Sequence, residues 1–163
     1  MKQVKVLLVD DAAEFLASAS DFLARDPRVE VVGQALHGRE GVRLAEALSP
    51  DIVFMDLIMP VMNGLDATRR IRSGPNPPRV IIVTMHDGPE YRRSAEIAGA
   101  DGFICKTDFA EHAFAMIDAY FVGAVGPAGS PGPNAPNLLS SVSTASAMHC
   151  GSALSNDSSA RLR

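Results

Sequence analysis

Cysteine and long apolar runs are both scarce in this sequence. Two cysteines occur in 163 residues, Cys105 in an apolar segment and Cys150 in a polar one, and their spacing fits neither a disulfide framework nor a metal site. No apolar run approaches the length of a membrane span, and the N-terminal apolar stretch is too short for a secretory signal. We therefore expect a cytoplasmic protein with no membrane segment and with Cys105 in its core.

An excess of positive charge is also lacking. The net charge of −4 argues against a protein held on nucleic acid or anionic lipid by bulk electrostatics. Neither Gly-x-Gly-x-x-Gly nor Gly-x-x-x-x-Gly-Lys follows an apolar segment, which argues against a dinucleotide-binding or P-loop protein. What the chain does have is an ordinary globular composition, 47% hydrophobic and 21% charged, at a length that fits one domain plus an extension.

Strand and helix patterns alternate along the first 121 residues. Apolar segments bounded by breakers predict five strands, at residues 4–9, 29–32, 52–55, 80–83 and 101–105. Between and after them, apolar residues at spacings of three and four predict five helices. This alternation predicts an α/β domain with a doubly wound, five-stranded parallel sheet and helices on both faces.

Several helix ends carry capping signals. Asn63 is a predicted N-cap, and Pro89 suits the first turn of the fourth helix, whose thin apolar face predicts loose packing. Asp108, with Glu111 three residues later, predicts a capping box for the last helix. After Val122 the composition shifts to Gly, Pro, Ser, Ala and Asn, so we expect one domain over 1–121 and a disordered tail over 122–163.

Polar side chains follow four of the predicted strands. Asp10 and Asp11 end the first, Asp56 the third, Thr84 the fourth and Lys106 the fifth. Because the carboxyl ends of parallel strands share one edge of a sheet, we expect these side chains to meet there. Taken one at a time, each of these residues has an ordinary explanation: the aspartates could be caps, Thr84 a strand-end residue and Lys106 a solvated loop lysine. Their joint occurrence favours a functional site.

The chemistry of this set favours phosphoryl transfer. Three neighbouring carboxylates repel one another unless a cation joins them, and oxygen ligands suit Mg²⁺. A metal, an ammonium group and a hydroxyl around one carboxylate would position and neutralise a phosphoryl group. Asp56 is the candidate nucleophile.

At this point the sequence resembles a known family, the response-regulator receiver domains of two-component signalling. The resemblance covers residues 1 to about 121 and rests on Leu-Val-Asp-Asp at 8–11, Met-Asp-Leu-Ile-Met-Pro-Val-Met-Asn-Gly at 55–64, Val-Thr-Met-His-Asp at 83–87 and Gly-Ala-Asp-Gly-Phe-Ile-Cys-Lys at 99–106. It implies a flavodoxin-like (βα)5 fold with strand order 2-1-3-4-5.

The resemblance also implies roles at the site. Asp56 would be the phosphoacceptor. Asp11, Asp56 and the backbone carbonyl of Ile58 would bind Mg²⁺ directly, and Asp10 would bind it through water. In the same way Thr84 would be a switch hydroxyl and Phe103 a switch aromatic that turns inward, whereas Lys106 would contact the phosphoryl oxygens.

The implied function is signalling. A sensor histidine kinase or a histidine phosphotransfer protein would phosphorylate Asp56 with Mg²⁺ bound. This would change the surface of the last two helices and the fifth strand and so inform an unidentified downstream protein. Such a domain is not expected to turn over an external substrate. The cognate kinase, the output and a homodimer are left open.

Two alternatives carry their own signatures. A haloacid-dehalogenase-type phosphatase would place its nucleophile after the first strand in an Asp-x-Asp pattern, and the pair here is Asp10-Asp11. Residues 85–87 and Thr107 resemble the subfamily that usually carries a C-terminal helix-turn-helix domain, and none follows. A truncated or frameshifted transcription regulator therefore stays open, although without a basic recognition helix we expect no direct DNA binding.

Overall fold

The computed structural model of the chain describes residues 2–121; the predictions for the tail and for Cys150 lie outside the described residues. Five parallel strands form one sheet in the order β2-β1-β3-β4-β5, which confirms the doubly wound α/β fold. The strands and helices are β1 (Val4–Val9), α1 (Ala13–Leu23), β2 (Val29–Ala35), α2 (Gly38–Leu48), β3 (Ile52–Asp56), α3 (Gly64–Arg72), β4 (Arg79–Thr84), α4 (Pro89–Ile97), β5 (Gly102–Cys105) and α5 (Phe109–Phe121), with a 3-10 turn at Lys106–Asp108.

The sheet separates two apolar layers. Side chains alternate along β1, so that Leu7 and Val9 pack with α2, α3 and α4, whereas Val6 and Leu8 pack with α1 and α5. All five residues of β3 are buried, as expected for a central strand of a parallel sheet covered on both faces. Asp56 therefore ends a strand that is buried along its whole length. Among the described residues, no helix is long and apolar enough to cross a bilayer.

Strand β2 is longer than its apolar pattern predicted. It continues to Ala35 because Gly33 and Gln34 pair with β1, after a register shift between Val6 and Leu7. A Cβ atom at Gly33 would lie 2.8 Å from Leu48 Cδ1, so the helix packs closely over the strand at this point. Backbone hydrogen bonding to β1 therefore extends the strand over residues whose side chains do not follow an apolar strand pattern.

The predicted helix ends were right in two cases and wrong in one. The Asn63 side chain accepts a hydrogen bond from the backbone N–H of Asp66 at 2.9 Å, as predicted for an N-cap, and Pro89 lies in the first turn of α4. The predicted capping box was wrong, because Asp108 belongs to the 3-10 turn and accepts a hydrogen bond from Thr107 instead. Helix α5 begins at Phe109, directly after this turn.

Candidate functional site

Three aspartates meet at the carboxyl edge of the sheet. Asp10 follows β1 and Asp56 ends β3, and both are buried, whereas Asp11 is exposed. One carboxylate oxygen from each lies within 4.8 Å of those of the other two. The Asp10 Oδ1 atom accepts a hydrogen bond from the backbone N–H of Ala12 at 2.9 Å, which fixes the carboxylate at the start of α1. The neighbouring strand ends thus form one acidic cluster.

Lys106 bridges the two buried carboxylates. Its Nζ atom lies 2.6 Å from Asp10 Oδ2 and 3.3 Å from Asp56 Oδ1, and its side chain is 14% exposed. Asp10 Oδ2 has no well-aligned hydrogen-bond donor among the described residues, so its contact with the ammonium group is an ion pair. One ammonium group against three carboxylates leaves two negative charges uncompensated. The donor set and this charge excess both fit a hard dication such as Mg²⁺.

Burial and charge shift the pKa values of this cluster. Desolvation raises the pKa of Asp56 to about 6; Lys106 opposes this rise and Asp10 adds to it. Burial lowers the pKa of Lys106, but its ion pairs with Asp10 and Asp56 outweigh this effect and the net pKa is raised. At neutral pH the site therefore holds a fixed ammonium group beside a carboxylate that ionises reluctantly.

The loop after Asp56 folds back onto the end of β3. The Gly64 N–H donates to the Leu57 carbonyl at 2.9 Å, and the Thr68 hydroxyl donates to the Gly64 carbonyl at 2.7 Å. A Cβ atom at Gly64 would lie 1.9 Å from the Asp56 carbonyl oxygen, so no other residue fits there without movement of the backbone. Ile58 lies in this loop with its side chain 54% exposed.

Thr84, at the end of β4, and Phe103, on β5, are both buried. The Thr84 hydroxyl accepts a hydrogen bond from the backbone N–H of His86 at 3.2 Å and donates to no described residue. Phe103 lies on β5 with 2% of its surface exposed. The resemblance implied a ring that turns inward on activation, and in this structure the ring already lies inward.

A family model of the response regulator receiver domain matches residues 6–118. The chain belongs to this family. The match spans all five strands apart from the first residues of β1. Every strand end that contributes to the acidic cluster, and Lys106 opposite it, falls inside the matched region.

Two proteins are similar in sequence to the receiver region of this chain. A protein-glutamate methylesterase/protein-glutamine glutaminase of Geobacillus kaustophilus is 45% identical over 107 residues, which cover 65% of this chain and 31% of that protein. The transcriptional regulatory protein LiaR of Bacillus subtilis is 38% identical over 104 residues, which cover 64% of this chain and 49% of that protein. The chain therefore spans a third to a half of these relatives.

Solved receiver structures agree with the fold. The response regulator domain of CheB from Thermotoga maritima is 31% identical, with a TM-score of 0.68, and the match covers 73% of this chain and 96% of that structure. The receiver domain of NarL from Mycobacterium tuberculosis is 30% identical, with a TM-score of 0.66, and the match covers 71% and 97%.

One group of contacts near Thr84 and Phe103 was not predicted from the sequence. Arg92 on α4 forms an ion pair with Asp87 in the β4–α4 loop, with its Nε 2.8 Å from Asp87 Oδ1. The Arg92 guanidinium carbon lies 4.7 Å from the centroid of the Phe103 ring, and the rings of His86 and Tyr91 stack at 5.2 Å. The residues of the ion pair are five apart across a loop, a spacing that predicts no contact.

Proposed function

We propose that this receiver accepts a phosphoryl group on Asp56 from a phosphohistidine of a sensor kinase or a phosphotransfer protein. One observation carries the proposal: in a chain of the receiver family, Asp56 is a buried carboxylate held between two aspartates and the Lys106 ammonium group. Such a site is suited to stabilise charge on a phosphoryl group as it moves.

In the proposed transfer, an Asp56 oxygen forms a bond to phosphorus while the nitrogen–phosphorus bond of the donor breaks. The donor nitrogen keeps the bonding electron pair and takes a proton from water. With a pKa of about 6, about nine-tenths of Asp56 is ionised at pH 7 and able to act as the nucleophile. Lys106 would leave its contact with Asp56 and bind the arriving phosphoryl oxygens.

A magnesium ion fits the same residues. Asp11, Asp56 and the carbonyl of Ile58 would bind it directly, and Asp10 would bind it through water. When bound, the ion supplies positive charge that neutralises the phosphoryl oxygens.

The signal would pass through Thr84 and Phe103. The Thr84 hydroxyl still has its proton available, so it can donate to a phosphoryl oxygen. Movement of Thr84 would also move the β4–α4 loop, because this loop begins at the next residue. We propose that the population then shifts toward a different α4–β5–α5 surface, which a downstream protein recognises.

Intact-mass spectrometry tests the acceptor. Incubation with acetyl phosphate and Mg²⁺ should add one phosphoryl group to the wild-type chain and none to Asp56→Asn. Asp21→Asn, which removes an exposed aspartate on α1, is the matched control and should be labelled like the wild type. Absence of labelling with every phosphodonor, or equal labelling of Asp56→Asn, would contradict the proposal.

We further propose that the domain turns over no external substrate. In an aspartate-nucleophile phosphatase the nucleophile would follow the first strand, whereas here the carboxylate that ends the central strand is the acceptor. Hydrolysis of p-nitrophenyl phosphate should therefore stay at the level of the uncatalysed reaction. Turnover that disappears in Asp10→Asn would support the phosphatase instead.

A further inference from the structure

A basic cleft lies on the side of the domain formed by α2 and α3. Its volume is about 570 Å³, and the loop after β3 forms one wall. Three arginines line it, Arg39 at the start of α2 and Arg69 and Arg70 on α3. Its apolar lining comes from Met59, Val61 and Met62 of the loop. We call this surface the α2–α3 cleft.

Positive charge in the cleft is only partly neutralised. Arg69 pairs with Asp66 at 2.7 Å, and Asp66 also accepts a hydrogen bond from the Asn63 side chain. Arg39 and Arg70 are exposed and form no ion pair with any described residue. Two uncompensated guanidinium groups therefore face solvent on a chain whose net charge is −4. Their charge complements a negatively charged ligand.

The walls of the cleft are held in place before any ligand binds. The Gly38 N–H donates to the Met62 carbonyl at 3.2 Å, and a Cβ atom at Gly38 would lie 2.5 Å from that oxygen. The start of α2 is thus packed directly against the loop. Val61 is 67% exposed and has a φ of 67°, a backbone conformation that β-branched residues rarely adopt. A strained, exposed apolar side chain at a cleft is typical of a binding position.

We propose that the α2–α3 cleft binds an acidic peptide segment of a partner protein, with one aliphatic side chain against the exposed side chain of Val61. Arginine is enriched where proteins bind one another. No aromatic residue lines the cleft within the described part of the chain, so it lacks the stacking platform that single-stranded nucleic acid uses. The chain's own tail fits poorly, because residues 122–163 contain one acidic residue and two arginines.

The test is a titration of the ¹⁵N-labelled full chain with a ten-residue peptide of glutamate and leucine. We expect amide shifts at residues 59–63 and 66–70. In the double variant Arg39→Glu/Arg70→Glu the affinity should fall at least about tenfold, because attraction becomes repulsion. Arg93→Glu, an exposed arginine on α4 outside the cleft, should bind like the wild type.

Two comparison ligands make the result decisive. A peptide with serine in place of leucine and an oligothymidine of equal length should both bind at least about tenfold more weakly, since neither offers an aliphatic side chain. The proposal would be overturned if the serine peptide or the oligothymidine bound as tightly as the glutamate–leucine peptide, or if the amide shifts were confined to other surfaces. It would also be overturned if the double variant kept its affinity, or if this chain formed a dimer that buries the cleft. Arg39→Gln/Arg70→Gln replaces the double variant if charge reversal prevents folding. None of these measurements depends on phosphorylation of Asp56.

Discussion

At the scale of single residues, the site combines groups that the sequence could indicate with contacts that it could not. Asp10, Asp56 and Lys106 were predicted because each ends a strand, and in the structure they lie within ion-pair distance. Gly64 was missed, although Asn63 before it was recognised as a cap. Its requirement comes from the close approach of the Asp56 carbonyl, which no local pattern encodes.

The raised pKa of Asp56 makes folding stability depend on pH. The folded-state pKa is about 6 and the ordinary value is 3.8. Since the folded value is the higher one, the buried acid contributes stability below pH 4 that is lost as the pH rises through 6. Without Mg²⁺, Asp56→Asn should therefore match the wild type near pH 4 and exceed its free energy of unfolding by up to about 3 kcal/mol at pH 7.5.

Urea unfolding of both proteins in EDTA from pH 4 to pH 8 measures this difference. Asp21→Asn serves as the control and should follow the wild type at every pH. Parallel profiles for Asp56→Asn and wild type would show that burial does not raise the pKa of Asp56.

At the scale of elements, strand centres were predictable and element ends were not. Apolar runs located all five strands. Every residue of β3 and β5 is buried, as such runs predict for strands covered on both faces. The extension of β2 through Gly33 and Gln34 depends on pairing with β1, and the 3-10 turn before α5 replaces the predicted capping box at Asp108. The β2 extension arises from contacts with a strand distant in sequence. The turn before α5 arises from local backbone geometry.

The loop between β3 and α3 should tolerate no side chain at Gly64. In Gly64→Ala the new Cβ would lie 1.9 Å from the Asp56 carbonyl oxygen, so we expect a loss of about 3 kcal/mol of stability and slower labelling by acetyl phosphate. In Gly74→Ala the new Cβ would lie 3.4 Å from the Ile71 carbonyl oxygen, an ordinary contact distance, and stability should change little. Urea unfolding compares the two; equal stabilities would contradict this account of the loop.

Helix α4 should depend on Arg92. This side chain joins the helix to Asp87 and lies against Phe103, whereas the adjacent Arg93 is exposed. We expect Arg92→Ala to lose roughly 1 kcal/mol of stability and to exchange amide hydrogens faster across residues 85–97. Hydrogen exchange followed by mass spectrometry checks this. The same exchange rates in Arg92→Ala and Arg93→Ala would exclude a special role for the ion pair.

At the scale of the whole molecule, the alternation of strands and helices was enough to predict a doubly wound sheet. The strand order came from resemblance to the receiver family, because alternation alone permits more than one order. The structure has that strand order. The match over residues 6–118 shows the family. The cleft between α2 and α3 needed the structure, since its arginines and methionines come from separate segments that carry no shared motif.

The central claim, that Asp56 carries the phosphoryl group, can be tested at the level of the single residue. After incubation with acetyl phosphate and Mg²⁺, borohydride reduces an aspartyl phosphate to homoserine, and peptide mass spectrometry locates the changed residue. We expect homoserine at position 56 and at no other aspartate. Homoserine at Asp10 or Asp11, or no reduced residue in a chain that has gained a phosphoryl group, would contradict it.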